Sequence, residues 1–114
     1  KKYEMANTFK LKTKAGVTTL ATVYTVPSST TAVILGLVVG NTTSSAITST
    51  VTIISDTNDV ETNADVELLT TGAIPANSSL EVMTGNKIVL QTTDVLKVYG
   101  SGAVDVVLSI MEIT

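Results

Sequence analysis

The sequence predicts an all-β protein: an antiparallel β-sandwich of jelly-roll type with eight to nine short strands. Three observations predict it. Nearly two-fifths of the 114 residues are Thr, Val or Ile. Their branched side chains fit a pleated, half-buried surface and lose rotamer freedom in a helix. Short apolar or alternating runs are separated by turn signals about every 8–12 residues, the spacing of sandwiches and barrels. No stretch shows the 3.6-residue apolar period of an amphipathic helix.

Taken in order, residues 1–7 read as a flexible lead, and residues 8–114 as one sandwich domain. Phe9 and Leu11 alternate with Lys10 and Lys12 in a short amphipathic strand, and Ala15-Gly16 reads as a turn. Thr22, Tyr24 and Val26 alternate with Ala21, Val23 and Thr25 until Pro27 opens a turn. Thr31 to Val39 is an almost continuous apolar run, which predicts a strand buried on both faces. Ile47, Val51 and Ile53 stand at even spacing against Thr48, Thr50 and Thr52, so this strand has one face in and one out. The stretch from Asp56 to Asp65 is polar and acidic. Val66 to Leu69, Leu80 to Met83, Ile88 to Leu90 and Val95 to Tyr99 are further short strands between turns. The last strand is long. Val104, Val106, Leu108, Ile110 and Glu112 share one face, and Asp105, Val107, Ser109 and Met111 the other. The expected core is Ala32, Ile34, Leu37, Val39, Val51, Ile53, Leu96, Val98, Val106, Leu108 and Ile110.

Composition narrows the chemistry. There is no His, Cys, Trp or Arg, so a Ser nucleophile has no imidazole base and no disulfide is available. An enzyme is not expected, and neither is a required cofactor or metal. Asp56, Asn58 and Glu61 stand in a calcium-loop-like row of oxygen ligands, but the Gly at the sixth position and the Glu at the twelfth are missing. That stretch therefore reads as a solvated loop. Asp94 and Asp105 read as turn acids. Asn41-Thr42-Thr43 and Asn77-Ser78-Ser79 fit the glycosylation pattern but read as turn asparagines. With Phe9 and three tyrosines as the only aromatics, a ring-lined sugar platform is poorly supplied. No apolar run approaches the roughly 18 residues that cross a bilayer as a helix, and no membrane partner is expected.

Charge is unevenly placed. Residues 1–14 hold five of the seven lysines and one acid, for +4, while residues 15–114 hold two lysines and nine acids, for −7. The arm lacks Arg and the acidic body would repel phosphate, so nucleic acid is not the expected partner. The residues placed to meet a protein partner are Phe9, Lys10, Leu11, Lys12 and Lys14. One edge of this arm can pair as an added strand while the lysines present positive charge; the alternative is that the arm is the first strand of the sandwich and its lysines face solvent. The hydrophobic fraction is 44% against 15% charged, which predicts a subunit that buries surface against copies of itself.

Four segments carry a resemblance: Met5-Ala6-Asn7-Thr8-Phe9-Lys10, Thr22-Val23-Tyr24-Thr25-Val26-Pro27, Ile34-Leu35-Gly36-Leu37-Val38-Val39-Gly40-Asn41-Thr42, and the closing Val106-Val107-Leu108-Ser109-Ile110-Met111-Glu112-Ile113-Thr114. In this order they resemble a group of small virion structural proteins of tailed bacteriophages, many of them marine or cyanobacterial. The similarity runs over nearly all of residues 5–114. It implies a non-enzymatic virion component assembled in the host cytoplasm. Within that group the resemblance leaves two roles. One is a homotrimeric capsid decoration protein that binds the major capsid protein on the head exterior. The other is a neck- or tail-fibre-associated protein that recognises a receptor or carbohydrate. The candidate recognition loops, Asn41–Ser45 and Asp56–Asp65, are short, which favours decoration.

Overall fold

The computed structural model describes residues 6–55, 63–83 and 86–114. Nine strands form: β1 (Asn7–Val17), β2 (Ala21–Thr25), β3 (Thr31–Asn41), β4 (Ile47–Ile54), β5 (Val66–Ile74), β6 (Ser79–Glu81), β7 (Ile88–Leu90), β8 (Val95–Gly100) and β9 (Val104–Ile113). There is no helix among the described residues. The first sheet has the order β1-β9-β3-β6, with β7 also paired to β3, and the second has the order β2-β8-β4-β5. Every pairing is antiparallel. The chain passes between the sheets after β1, β2 and β3, stays in the second for β4 and β5, and returns for β6 and β7 before closing through β8 and β9. That nested winding is a jelly roll.

The core lies between the sheets. All eleven residues expected to supply it are buried, from Ala32 to Ile110, together with Val17, Tyr24, Val26, Ile74, Leu90 and Val104. Each strand delivers alternate residues to this layer. Glu112 follows Ile110 in the same alternation and is buried as well.

Five local expectations change, four of them at register shifts. The apolar run of β3 is buried on one face only. Ala32 and Ile34 point inward, an extra residue falls between Ile34 and Gly36 in the pairing with β9, and Leu37 and Val39 then point inward again. A bulge shifts the two-residue period by one. The run therefore looks continuous although each half of the strand alternates. In β2 the register shifts between Thr22 and Tyr24, so Tyr24 joins Ala21 rather than Thr22 on the inner face. Ala15-Gly16 is a bulge inside β1 rather than a turn. Gly16 adopts φ +65 and donates its N–H to Asp105 Oδ1 at 3.0 Å, and the strand continues to Val17. Finally, β5 runs on past Leu69 to Ile74, with Thr71 at φ +46 absorbing its own register shift. The lead is shorter than expected, since Asn7 opens β1 and the Ala6 carbonyl accepts the Thr114 N–H at 3.1 Å. Residues 1–5 lie outside the described part.

Asn41, at the end of β3, is a structural corner. Its side-chain amide donates to the carbonyls of Ser45, Ile74 and Pro75 at 2.8, 3.0 and 3.1 Å, and its oxygen accepts from Thr43. A buried amide with its donors already committed inside the fold is not a glycan acceptor. Asn77 is exposed and holds φ +58 in a turn.

Leu108→Ala removes a fully buried side chain from β9 and is expected to lower unfolding free energy by about 2–5 kcal/mol, read from urea denaturation. A loss under half that range would mean the two sheets do not close on Leu108 as described.

Candidate functional site

β1 is the end strand of the first sheet and hydrogen-bonds to β9 alone. Its register divides the five candidate residues into two groups. Lys10, Lys12 and Lys14 stand opposite Ile110, Leu108 and Val106, the core-facing positions of β9. Phe9 and Leu11 stand opposite Met111 and Ser109, the outward positions. Directly opposed residues share a face of the sheet. The lysines therefore point to the side of the second sheet, where β1 lies beside β2, and the apolar pair points away. A lysine can occupy such a position at a sandwich edge because its methylene stem covers apolar surface while the ammonium reaches water.

The lysines meet a buried polar cluster. The Tyr24 hydroxyl donates to Glu112 Oε2 at 2.6 Å, and Lys10 Nζ lies 2.9 Å from Glu112 Oε1. Lys12 Nζ sits 5.9 Å from the Tyr24 ring centre, on its face, a cation–π distance. Three strands thus converge: β1 gives the cation, β2 the phenol and β9 the carboxylate. The Glu112 carboxyl is held below the ordinary carboxylate range, chiefly because Tyr24 and then Lys10 hydrogen-bond the ionised form, against the opposing effect of burial. The Tyr24 phenol is pushed well up, first by burial and then by the bond to Glu112 and its charge. The cluster is a clasp joining the first strand, the last strand and the opposite sheet. Sequence reasoning placed Glu112 on the core face without finding its partners. An acid at an apolar position of a strand was the available signal.

The outer face of the first sheet is apolar along one row. Phe9, Met111, Val33 and Val89 stand in one row across β1, β9, β3 and β7. Phe9 is 71% exposed, Leu11 63%, Val89 60% and Val107 41%.

Other chemistry-bearing groups are committed to structure. Asp94 is buried and accepts from Ser55 Oγ and from the Gln91 N–H, both at 2.9 Å. Asp105 anchors the Gly16 bulge. The two do not form a carboxylate pair. A groove of about 480 Å³ between Ile53, Val66, Ile88 and Leu90 reaches Ser55 and Asn63, far from β1 in the sheet order. No group of three or more acids able to hold a metal occurs among the described residues. The Asp56–Glu61 row lies outside them.

No protein-family profile and no curated protein sequence matches the chain. Among solved structures, the chain is similar to a subunit of Bacillus endospore appendages, described as a novel family of disulfide-linked pili. The TM-score is 0.53 at 12% identity, over 96% of this chain and 86% of that one. At this identity the likeness is one of fold.

Because the folded Glu112 carboxyl binds its proton less tightly than the unfolded one, its contribution is present above the ordinary carboxylate range. It is lost as pH falls through the lowered folded value. Tyr24→Phe removes the largest cause of that lowering. The variant is expected to lose about 1–3 kcal/mol at neutral pH, and its gap from the parent is expected to shrink as pH falls below the ordinary carboxylate range. Urea titrations across the acid range check both. A constant gap would show that the clasp does not act through the ionised Glu112 carboxyl.

Proposed function

We propose that this chain is a non-enzymatic structural subunit of a bacteriophage virion, a decoration protein of the head exterior that docks through β1. The supporting observation is the disposition of β1 itself. It is an end strand paired on one side only, its hydrogen-bonding edge faces away from the sheet, and three lysines stand on one face. Strand addition to such an edge takes affinity from main-chain hydrogen bonds and specificity from alternate side chains. An acidic particle surface would be steered by Lys12 and Lys14, while Lys10 is held by Glu112. The resemblance of the four segments supplies the identification with phage particles. The abundance of buried groups with structural partners fits a subunit whose work is to be a surface.

A neck- or tail-associated role is the alternative within the same group, and copy number per particle separates them. Hundreds of copies fit decoration and a handful fit neck or tail. A filament subunit is a further reading, favoured by the unpaired outer edges of β1 and β5. With no Cys in these 114 residues, such a filament could not be disulfide-linked through this chain.

Deleting β1 would remove a full strand from the first sheet, so the informative variant keeps it. Lys12→Gln with Lys14→Gln keeps the Lys10–Glu112 pair, is expected to stay folded, and is expected to weaken particle binding by about tenfold or more. Parental binding is expected to weaken with salt. Unchanged, salt-independent binding by the double variant would reject β1 as the docking element.

A further inference from the structure

The apolar row on the outer face of the first sheet has no partner among the described residues, although β1, β9, β3 and β7 line it up in register. We propose that this face packs against the same face of a second copy, sheet on sheet across a two-fold axis. The inference goes beyond the particle reading and does not depend on it, since it concerns the isolated chain.

Three features select a second copy. The first is size. Three strands of ten or eleven residues and the three-residue β6 and β7, at about 4.8 Å spacing and about 3.3 Å per residue, present a face of roughly 600 Å² in projection. A stable interface buries about 800 Å² of accessible surface per partner, so one pleated face of this size approaches what a dimer needs. The second is shape. Within the chain the two sheets already pack face to face through their inner layers, and sheet-on-sheet packing is the mode that an outer face can repeat. The third is charge. Outside residues 1–14 the chain carries −7, so two copies repel over most of their surface. The outward positions of the first sheet that the pairing defines carry only Glu81 and Asp105, both toward one end. The other end, with Phe9, Met111, Val33 and Val89, carries no acid in its paired rows; exposed Lys87 precedes Val89 by two residues. It is where two acidic bodies can approach. A two-fold contact lets each apolar row meet an apolar row of the other copy.

The contact leaves the lysine side and the hydrogen-bonding edge of β1 open. It also makes assembly two-fold, in place of the trimer that the phage resemblance implies.

The test is sedimentation of the full chain across the micromolar range. The parent is expected to approach twice the 11.8 kDa chain mass. Val89→Lys and Val107→Lys change exposed positions on the face. Each should raise the dimer dissociation constant by about tenfold or more while the chain keeps its all-β circular-dichroism spectrum. Lys97→Glu, opposite Thr52 on the outer face of the second sheet, should leave it unchanged. A monomeric parent, a trimeric parent, face variants that associate like the parent, or a Lys97→Glu chain that dissociates like them would each overturn the proposal.

Discussion

β9 hydrogen-bonds to β1 on one side and to β3 on the other, and this double ladder sets the register of the first sheet. Nearly everything else follows from it. Because Val104, Val106, Leu108, Ile110 and Glu112 take one face of β9, the residues opposite them on β1 and β3 must take the same face. β3 can comply along its whole length only by inserting an extra residue between Ile34 and Gly36. β1 can comply only by placing lysines where a central strand would place valines. The lysines are tolerable because β1 ends the sheet and has water beyond it.

That geometry explains the Tyr24–Glu112–Lys10 clasp. A carboxylate in the inner layer of a sandwich is costly unless it is paired and hydrogen-bonded. Here both oxygens are satisfied, one by Lys10 of the adjacent β1 and the other by Tyr24 of β2 in the facing sheet. Removing one partner from a buried pair usually costs more than the pair adds. The clasp is therefore better understood as fixing which strands meet than as a reservoir of stability. It ties the beginning of the fold to its end, and the first sheet to the second.

The same register gives the molecule two distinct surfaces on one strand. The side of β1 toward the second sheet is cationic, and the side away from it is apolar and continuous with β9, β3 and β7. An exposed apolar row crossing four strands is more than the scattered single exposures that any surface carries. A particle-docking edge and a self-packing face can coexist because alternate side chains of an extended strand point in opposite directions.

The sequence by itself determined the fold class, most of the turn positions and eleven of the buried core residues. Those properties depend on local composition and on a period of two, which are legible one strand at a time. It also placed Glu112 on the inner face, where an acid stands out among valines and leucines. It did not reveal the bulges in β1, β2 and β3, because a bulge is defined against the partner strand and leaves only a break in parity. For that reason Thr31–Val39 looked two-sided and Tyr24 was assigned to the wrong neighbours. Nor could it join Lys10 and Tyr24 to Glu112, which lie about a hundred and 88 residues away along the chain and meet only because β1 pairs with β9 while β2 crosses to the opposite sheet. Which side of β1 is charged and which is apolar could be read from alternation. Which of them faces the other sheet was decided by tertiary pairing alone, since the register of a strand is a property of two strands and not of one.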